Sequence, residues 1–470
     1  MPDLRVAVDA GGTFTDVCIY NAATQEFHVT KVPSTPSNPM QAVLDGVKRG
    51  EIELGNVELF FHGTTIATNA LITRRFPKAS MVTTKGFRDV IEIRDGTKDN
   101  LWDAYADVSG PYIRRRDRFE VTERVDYAGQ VVTPLNEQEA RELARKLKRR
   151  GTTTIAVCFI NSYANVQNEQ RMREILEEEI PEANVSTSSE ILPEIFEHDR
   201  FNTAVANTVL GPLVSDYVKQ LDNELSAGGY ANDLLLLHSG GGSMTPAMAK
   251  HFPVRLAASG IAAGAIAAKH IAQQCGYQNA VGLDMGGTST DISLIHEGEL
   301  RVTKQWGVEY GHPIVFPSIE VLTIGAGGGS LAHIDIERGG VEPTNTDANL
   351  ALNRLGASLA GGALVLSRAK AEQSIAERIG HPLSLNTAEA AQAILKVANA
   401  NMADAVRLVS IRRGLDPRDF ALIAFGGAGA LHGADVAKEL GIPAVIVPPN
   451  PGVTSALGCL LVDIQHDLSM

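Results

Sequence analysis

Two stretches of the sequence carry the residue types that phosphate and metal chemistry needs. Asp9-Ala10-Gly11-Gly12-Thr13-Phe14-Thr15-Asp16 recurs as Asp284-Met285-Gly286-Gly287-Thr288-Ser289-Thr290-Asp291, with both aspartates, both glycines and two threonines identical. Paired glycines let a backbone turn tightly and bring its N–H groups against a ligand with no Cβ in the way. Thr13 and Thr15 in one copy, and Thr288, Ser289 and Thr290 in the other, add hydroxyl donors for phosphate oxygens. Asp9 and Asp284 stand at strand ends and can hold a hydrated Mg²⁺, which prefers carboxylate and water oxygens to an all-protein cage. One copy alone reads as an ordinary Gly-rich hairpin. Two facing each other would grip a triphosphate from both sides.

Other glycine runs are weaker signals. Phe425-Gly426-Gly427-Ala428-Gly429-Ala430-Leu431-His432 sits at a strand-to-helix junction where a ribose or base could approach the backbone. Thr323 to Ser330 and His238 to Ser243 are further candidates, each more often a tight turn than a ligand site. None completes G-x-G-x-x-G, and without a Gly-Lys pair there is no Walker A loop. His62-Gly63-Thr64-Thr65 follows an apolar run and reads most simply as a helix N-terminus capped by threonine. Serine-hydrolase and zinc-hydrolase readings find no anchor: G-x-S-x-G and H-E-x-x-H are both missing, and the twelve histidines show no paired zinc spacing.

The elements that must position these residues follow from apolar periodicity. Leu4 to Val8 and Ala280 to Leu283 read as strands leading into the two Gly-Gly-Thr turns and a second strand each. Val29-Thr30-Lys31, echoed by Val302-Thr303-Lys304, suggests a third strand in both copies. Asn136 to Glu139 opens an amphipathic helix, Thr153 to Ile160 is a β-branched strand, and Asn386 to Glu389 opens a helix running to about Arg413. Phe420 to Phe425 reads as a strand, Gly426 to Gly429 as a turn, Ala430 to Leu440 as a helix and Pro443 to Val447 as a strand. Strands alternating with helices indicate an α/β fold with partly parallel sheets. A repeat this long indicates a duplicated domain pair rather than a solenoid.

Composition narrows the partners. The 470 residues carry a formal charge of −13, so nucleic acid or an anionic membrane would meet net repulsion, and a phosphate must be gripped locally. Runs such as Arg114 to Arg118 and Arg145 to Arg150 read as solvated surface. The four cysteines show no disulfide framework, which fits a reducing, cytoplasmic setting. The long uncharged stretch from Gly441 to Val462 is broken by prolines and glycines, and no membrane span is read.

The paired hairpins and the late Gly-Gly-Ala-Gly resemble the phosphate and adenosine motifs of the superfamily of actin, sugar kinases and heat-shock ATPases. The sequence resembles the hydantoinase/oxoprolinase family more closely still. That likeness is carried by HGTTIATNAL from His62, VTTKGFRDVIEI from Val82, ERVD from Glu123, LDMGGTSTDISLI from Leu283, TIGAGGGS from Thr323, EPTNTDANL from Glu342, FGGAGALH from Phe425 and GVTSALG from Gly452. The resemblance implies duplicated actin-like (ribonuclease H-like) ATPase domains flanking a nucleotide cleft, with residues 1–200 as one half and 201–470 as the other. By position it places Asp9 and Asp284 around Mg²⁺. Gly11, Gly12, Thr13, Thr15, Asp16, Gly286, Gly287, Thr288 and Ser289 would hold the phosphates of ATP, and Gly426, Gly427 and Gly429 the adenosine.

The activity implied is that of an N-methylhydantoinase A-type subunit: ATP-dependent phosphorylation of the carbonyl oxygen of a cyclic amide (hydantoin, oxoproline or lactam), completed with a hydantoinase B-type subunit. The related acetone and acetophenone carboxylases make a ketone the alternative substrate, and a degenerate non-catalytic nucleotide-binding module or a small-molecule kinase are other readings. The family pattern also leads us to expect two departures. A C-terminal domain of roughly 200 residues is absent, and a stretch between Asp335 and Gly339 is missing.

Overall fold

The computed structural model describes residues 3–35, 38–96, 98, 100–106, 108–333, 342–359, 362 and 364–462. The stretch expected to be missing between Asp335 and Gly339 lies outside the described residues.

Two sheets share one plan. In the first, Leu4–Ala10 pairs antiparallel with Phe14–Asn21, which pairs with Phe27–Pro33, while Val57–Thr64 and then Leu234–Leu237 lie parallel on the other side. In the second, Ala280–Met285 pairs antiparallel with Thr290–His296, and Ala421–Phe425 and Ala444–Ile446 follow in parallel. A hairpin extended by parallel strands with helices on both faces is the ribonuclease H-like unit, and its duplication is the actin-type fold. Register puts Asp9 opposite Asp16 and Asp284 opposite Asp291, so each D-x-G-G-T-x-T-D folds its two carboxylates toward one another.

The third strand is where the halves differ. Val29 to Lys31 lies in the strand beside Phe14–Asn21 as expected, but Val302–Trp306 pairs with Ile314–Ile319 instead of joining the second hairpin. The place beside Thr290–His296 is shared by Glu299–Leu300 and Val321–Ile324. The Val-Thr-Lys echo is therefore a likeness of sequence without a likeness of pairing.

Between Val57–Thr64 and Leu234–Leu237 the chain builds a four-stranded parallel sheet from Ala79–Thr84, Arg118–Val121, Thr154–Cys158 and Asn184–Thr187. Helices Glu137–Arg149 and Gln167–Glu179 cover it, and the Asn136 side chain accepts from the Glu139 N–H as its residue type predicts. Arg118, read from sequence as solvated, is buried here and donates to the Ile113 carbonyl and to Glu92. The 31-residue helix Glu197–Ala227 then returns the chain to the first sheet, its residues from Phe201 to Leu210 buried all round. That helix passes through position 200, and the first sheet draws strands from both sides of it.

Two helices cross between the halves. Ser259–Gln274 gives Ala263 to the core under the first sheet and Ala268 and Ile271 to the core under the second. Thr454–Leu460 lies against it so closely that a Cβ on Gly458 would fall 1.9 Å from the Ala263 carbonyl oxygen. Close helix contact of this kind requires small residues, which both segments supply. Among the described residues no helix is long and apolar enough to cross a membrane, and all four cysteines are free.

Candidate active site

The two Gly-Gly-Thr turns are the same structure twice. The Gly11 N–H donates to the Phe14 carbonyl at 3.1 Å, and the Gly286 N–H to the Ser289 carbonyl at 2.9 Å. Exposure repeats residue for residue: Gly12 and Thr13, like Gly287 and Thr288, are exposed at the tips, whereas Thr15 and Thr290 are fully buried. The tips face one another, since a Cβ on Gly287 would stand 2.9 Å from Thr13 Oγ1. A Ser34 hydroxyl bond to the Gly11 carbonyl backs the first turn. Backbone N–H groups of Gly328 and Gly329, bonded to the Gly286 and Gly287 carbonyls, back the second.

Thr15 corrects the sequence reading. Its hydroxyl lies 3.0 Å from Ser34 Oγ with no exposed surface, and Thr290 likewise donates to the Ala326 carbonyl. These threonines pin the loops behind the turns and present no hydroxyl to a ligand. Thr13 and Thr288 are exposed at the turns, and Ser289 is half-buried beside Thr288.

The carboxylates converge beneath the turns. Burial pushes Asp9 up to about 7, helped by repulsion from Asp16 and Asp284, and burial with the Asp284 charge brings Asp291 to about 7. Asp16 rises to about 6 through burial against the opposing pull of Lys31, whose ammonium donates to it at 2.5 Å and to the Gly452 carbonyl at 2.7 Å. Asp284 is also raised by burial, and accepts from Ser455 Oγ at 2.7 Å. Asp9 Oδ1 is buried with no hydrogen-bond partner. The four carboxylates disfavour one another's charge in these low-dielectric surroundings, and Asp9 keeps one orphaned oxygen, although among the described residues no three His, Cys, Asp or Glu side chains come together as metal ligands.

Glycines from neighbouring elements make room for these carboxylates. A Cβ at Gly63 would come within 2.9 Å of Asp9 Oδ1, and at Gly426 within 2.3 Å of Asp284 Oδ1. Gly260 and Gly264, one turn apart on the crossing helix, would each put a Cβ 3.0 Å from Asp9 and Asp284 respectively. Lys31, Gly260, Gly264 and Ser455 were not singled out from sequence as site residues. The signal for the helix was there in Ser259-Gly260-Ile261-Ala262-Ala263-Gly264, a run of small residues with two glycines at i and i+4.

The Gly-Gly-Ala-Gly segment differs from its expected form. Gly426 to Gly429 is no turn: the helix begins at Gly426 and runs to Leu440. Gly426 has φ of +84°, Gly427 faces open space, and Gly429 is buried with its missing Cβ 3.0 Å from the Leu283 carbonyl. Gly427 is thus open to solvent, whereas Gly429 serves helix-to-strand packing. His62, Gly63 and Thr64 extend the strand, and Thr65 makes no side-chain cap but donates to the Ala10 carbonyl. His238 to Ser243 is a turn joining Leu234–Leu237 to Ser243–Met244.

Comparison with known proteins places this geometry. A family model described as the hydantoinase/oxoprolinase N-terminal region matches residues 5–180, and one described as hydantoinase/oxoprolinase matches residues 200–468. The chain belongs to the hydantoinase/oxoprolinase family. It is 33% identical to the caprolactamase alpha subunit of Pseudomonas jessenii over 98% of this chain and 71% of that one. The crystal structure of that ATP-dependent caprolactamase superposes with a TM-score of 0.86. The acetophenone carboxylase gamma subunit of Aromatoleum aromaticum is 32% identical, over 98% of this chain and 68% of its own. A nucleotide-free structure of acetone carboxylase, 26% identical over 98% of this chain and 70% of that one, gives a TM-score of 0.85. Within the family motifs, HGTT, FGGAG and GVTSALG bring Gly63, Gly426 and Ser455 to the two hairpin aspartates. ERVD instead serves the four-stranded sheet, where buried Glu123 accepts from Thr84 and Asn168.

Proposed function

We propose that this chain is the nucleotide-handling subunit of an ATP-dependent enzyme that activates a cyclic amide carbonyl for ring opening. The observation that carries the reading is the pair of facing Gly-Gly-Thr turns with matching exposure, set over the carboxylates of Asp9 and Asp284. ATP-dependent relatives from the caprolactamase and carboxylase branches support it. Bound ATP would supply a γ-phosphoryl group whose transfer to the carbonyl oxygen turns a poor electrophile into one that water opens, with phosphate as leaving group.

The chain's own residues supply positioning and charge neutralisation, which account for most of the rate acceleration in phosphoryl transfer. Backbone N–H groups at Gly12, Thr13, Gly287 and Thr288, with the Thr13, Thr288 and Ser289 hydroxyls, bind phosphate oxygens from two sides. Asp9 and Asp284 would hold Mg²⁺, which would neutralise phosphate charge. The orphaned Asp9 oxygen fits that ion, and no three His, Cys, Asp or Glu converge as metal ligands among the described residues, so the ion would keep much of its water. Gly426 and Gly427 leave the backbone open to adenosine. Lys31 holds Asp16 in place and offsets its charge.

A B-type subunit would complete the reaction, since the caprolactamase and carboxylase relatives are named as subunits. A second reading, ketone carboxylation, is favoured by the 32% identity to the acetophenone carboxylase subunit, almost equal to that of the caprolactamase subunit. The test is ATP hydrolysis by this chain together with its B-type partner. Stimulation by a lactam or hydantoin supports the first reading, and bicarbonate-dependent stimulation by a ketone the second. Asp284→Ala is expected to lower turnover about 100-fold or more, the scale of one preorganised electrostatic group. Unchanged turnover in that variant removes the proposed metal role.

A further inference from the structure

Away from the paired hairpins, a cavity of about 300 Å³ opens between the end of the helix Val90–Ile93, the start of the helix Glu197–Ala227 and the loop from Trp306 to Pro313. Its nearest wall on the long helix, His198, lies 19 residues before Tyr217, which contacts His62 beside the hairpins. At 1.5 Å per residue that is roughly 28 Å along the helix. A shorter path runs from Thr65, bonded to the Ala10 carbonyl, along the helix Ile66–Thr73 to Arg74 on Glu309, roughly 14 Å at 1.5 Å per residue, so the cavity is separate from the turns, and its volume suits a small molecule.

The cavity holds polar groups the fold leaves unused. His198 is 6% exposed, and neither ring nitrogen makes a hydrogen bond; its Nδ1 stands 3.5 Å from Asp95 and 3.8 Å from Asp199, outside hydrogen-bond range. Arg94 lies across Gly311, where a Cβ would sit 2.2 Å from Nη1. Its Nη2 donates to the Ser109 carbonyl, while Nη1 is buried without a partner. Among the described residues Arg94 has no ion pair, although Asp95 and Asp199 line the same cavity. Glu309 does not serve it, because both its carboxylate oxygens are held by Arg74 at 3.0 and 2.7 Å.

The cavity lining therefore combines a guanidinium that has no ion pair among the described residues with two carboxylates beside the His198 imidazole, one of which, Asp199, also accepts from Gln305 at 3.3 Å. An anion alone would meet Asp95 and Asp199, and a cation alone would meet Arg94. A ligand carrying both charges satisfies both sets of groups, and Trp306 also lines the cavity. We propose that this cavity binds a small zwitterion bearing a carboxylate and an ammonium group. That is the chemical class released when water opens a lactam ring: the C–N bond breaks, the carbonyl carbon becomes a carboxylate and the nitrogen an ammonium. Its identification as product rests on the reaction proposed above.

The test is calorimetric titration of the full chain with 6-aminohexanoate and with glutamate, against hexanoate and hexylamine as single-charge analogues. At least one amino acid is expected to bind about 10-fold or more tightly than either analogue. Arg94→Gln and Asp199→Asn are each expected to weaken it by about 10-fold or more, the scale of one charged hydrogen bond, with thermal melts unmoved. Equal binding of an analogue, an unchanged affinity in both variants, or no heat from either amino acid overturns the proposal. ADP is titrated into the same samples. Zwitterion binding without ADP binding overturns the phosphoryl-transfer reading alone, and the reverse overturns only the cavity assignment.

Discussion

Gly426 lies against Asp284: a Cβ at position 426 would stand 2.3 Å from Asp284 Oδ1 and 2.5 Å from the Met285 carbonyl oxygen. The first half repeats the relationship with Gly63, which register places directly opposite Asp9. In each half a glycine at the end of the neighbouring parallel strand (Gly63, the last residue but one) or just beyond it (Gly426, which opens the helix) leaves the hairpin carboxylate the space a side chain would need.

Gly426→Ala is therefore expected to displace the Asp284 carboxylate and to strain the backbone, whose φ of +84° costs a residue with a Cβ roughly 1–2 kcal/mol. The expected outcome is a folded protein with a lower melting temperature and nucleotide affinity reduced about 10-fold or more, since a displaced carboxylate would no longer meet the Mg²⁺ proposed for it. Wild-type nucleotide affinity, measured by calorimetry with Mg²⁺ present, contradicts the placement of Asp284.

The crossing helices make a separate prediction about stability. Gly458→Ala puts a methyl 1.9 Å from the Ala263 carbonyl oxygen and 2.6 Å from its carbon, atoms of backbone that cannot rotate away. Overpacking that forces backbone shifts costs about 1–3 kcal/mol. Urea denaturation should show a lowered midpoint, and an unaltered midpoint would mean the two helices do not pack as described.

Much of this arrangement was legible because it rests on local chemistry. The Gly-Gly-Thr hairpins announce themselves by glycine spacing, flanking alternation and duplication, and Asn386 and Glu389 form the reciprocal cap their types suggest. Readings went astray where tertiary contact overrides local preference. Glycine's weak helix propensity makes Gly426 to Gly429 look like a turn, yet close approach to Asp284 and Leu283 requires a helix of glycines there. Thr64 and Thr65 look like caps, but pairing with Leu4–Ala10 draws His62 to Thr64 into the sheet. Val302 to Lys304 matches the first copy in residue type, and only long-range pairing decides that it joins Ile314–Ile319. The zwitterion cavity is assembled from Arg94, His198 and the 306–313 loop, segments whose meeting no local spacing encodes.

His62 gives a pH signature. Its Nδ1 faces the Val8 carbonyl at 3.1 Å, which can only accept, so Nδ1 carries the proton and Nε2 accepts from Tyr217 Oη at 2.7 Å. Burial holds its pKa down at about 4, against 6.5 for an ordinary histidine. Between those values the unfolded chain binds more protons, so this residue's contribution is full above pH 6.5 and is lost as pH falls toward 4. Relative to His62→Gln, the wild type should lose on the order of a few kcal/mol of stability across that window. Denaturation curves at a series of pH values check it, and a constant difference between the two proteins refutes the buried neutral imidazole.

Thr13 and Thr15 separate binding from architecture within one motif. Thr13 is exposed at the turn with its hydroxyl toward Gly287, whereas Thr15 is fully buried and bonded to Ser34, which in turn holds the Gly11 carbonyl. Thr13→Val removes a donor from the cleft and is expected to weaken nucleotide binding by about 10-fold, one hydrogen bond to a charged group, with stability nearly unchanged. Thr15→Val leaves Ser34 still bonded to Gly11 but strips its second partner, and should cost about 1–2 kcal/mol of stability. Its effect on nucleotide affinity should be small, because no ligand atom can reach position 15. Paired calorimetry and thermal melts on the two variants read both axes at once. If Thr15→Val lowers affinity while leaving the melt in place, the buried threonine is a ligand contact and the inward hydroxyl described here is wrong.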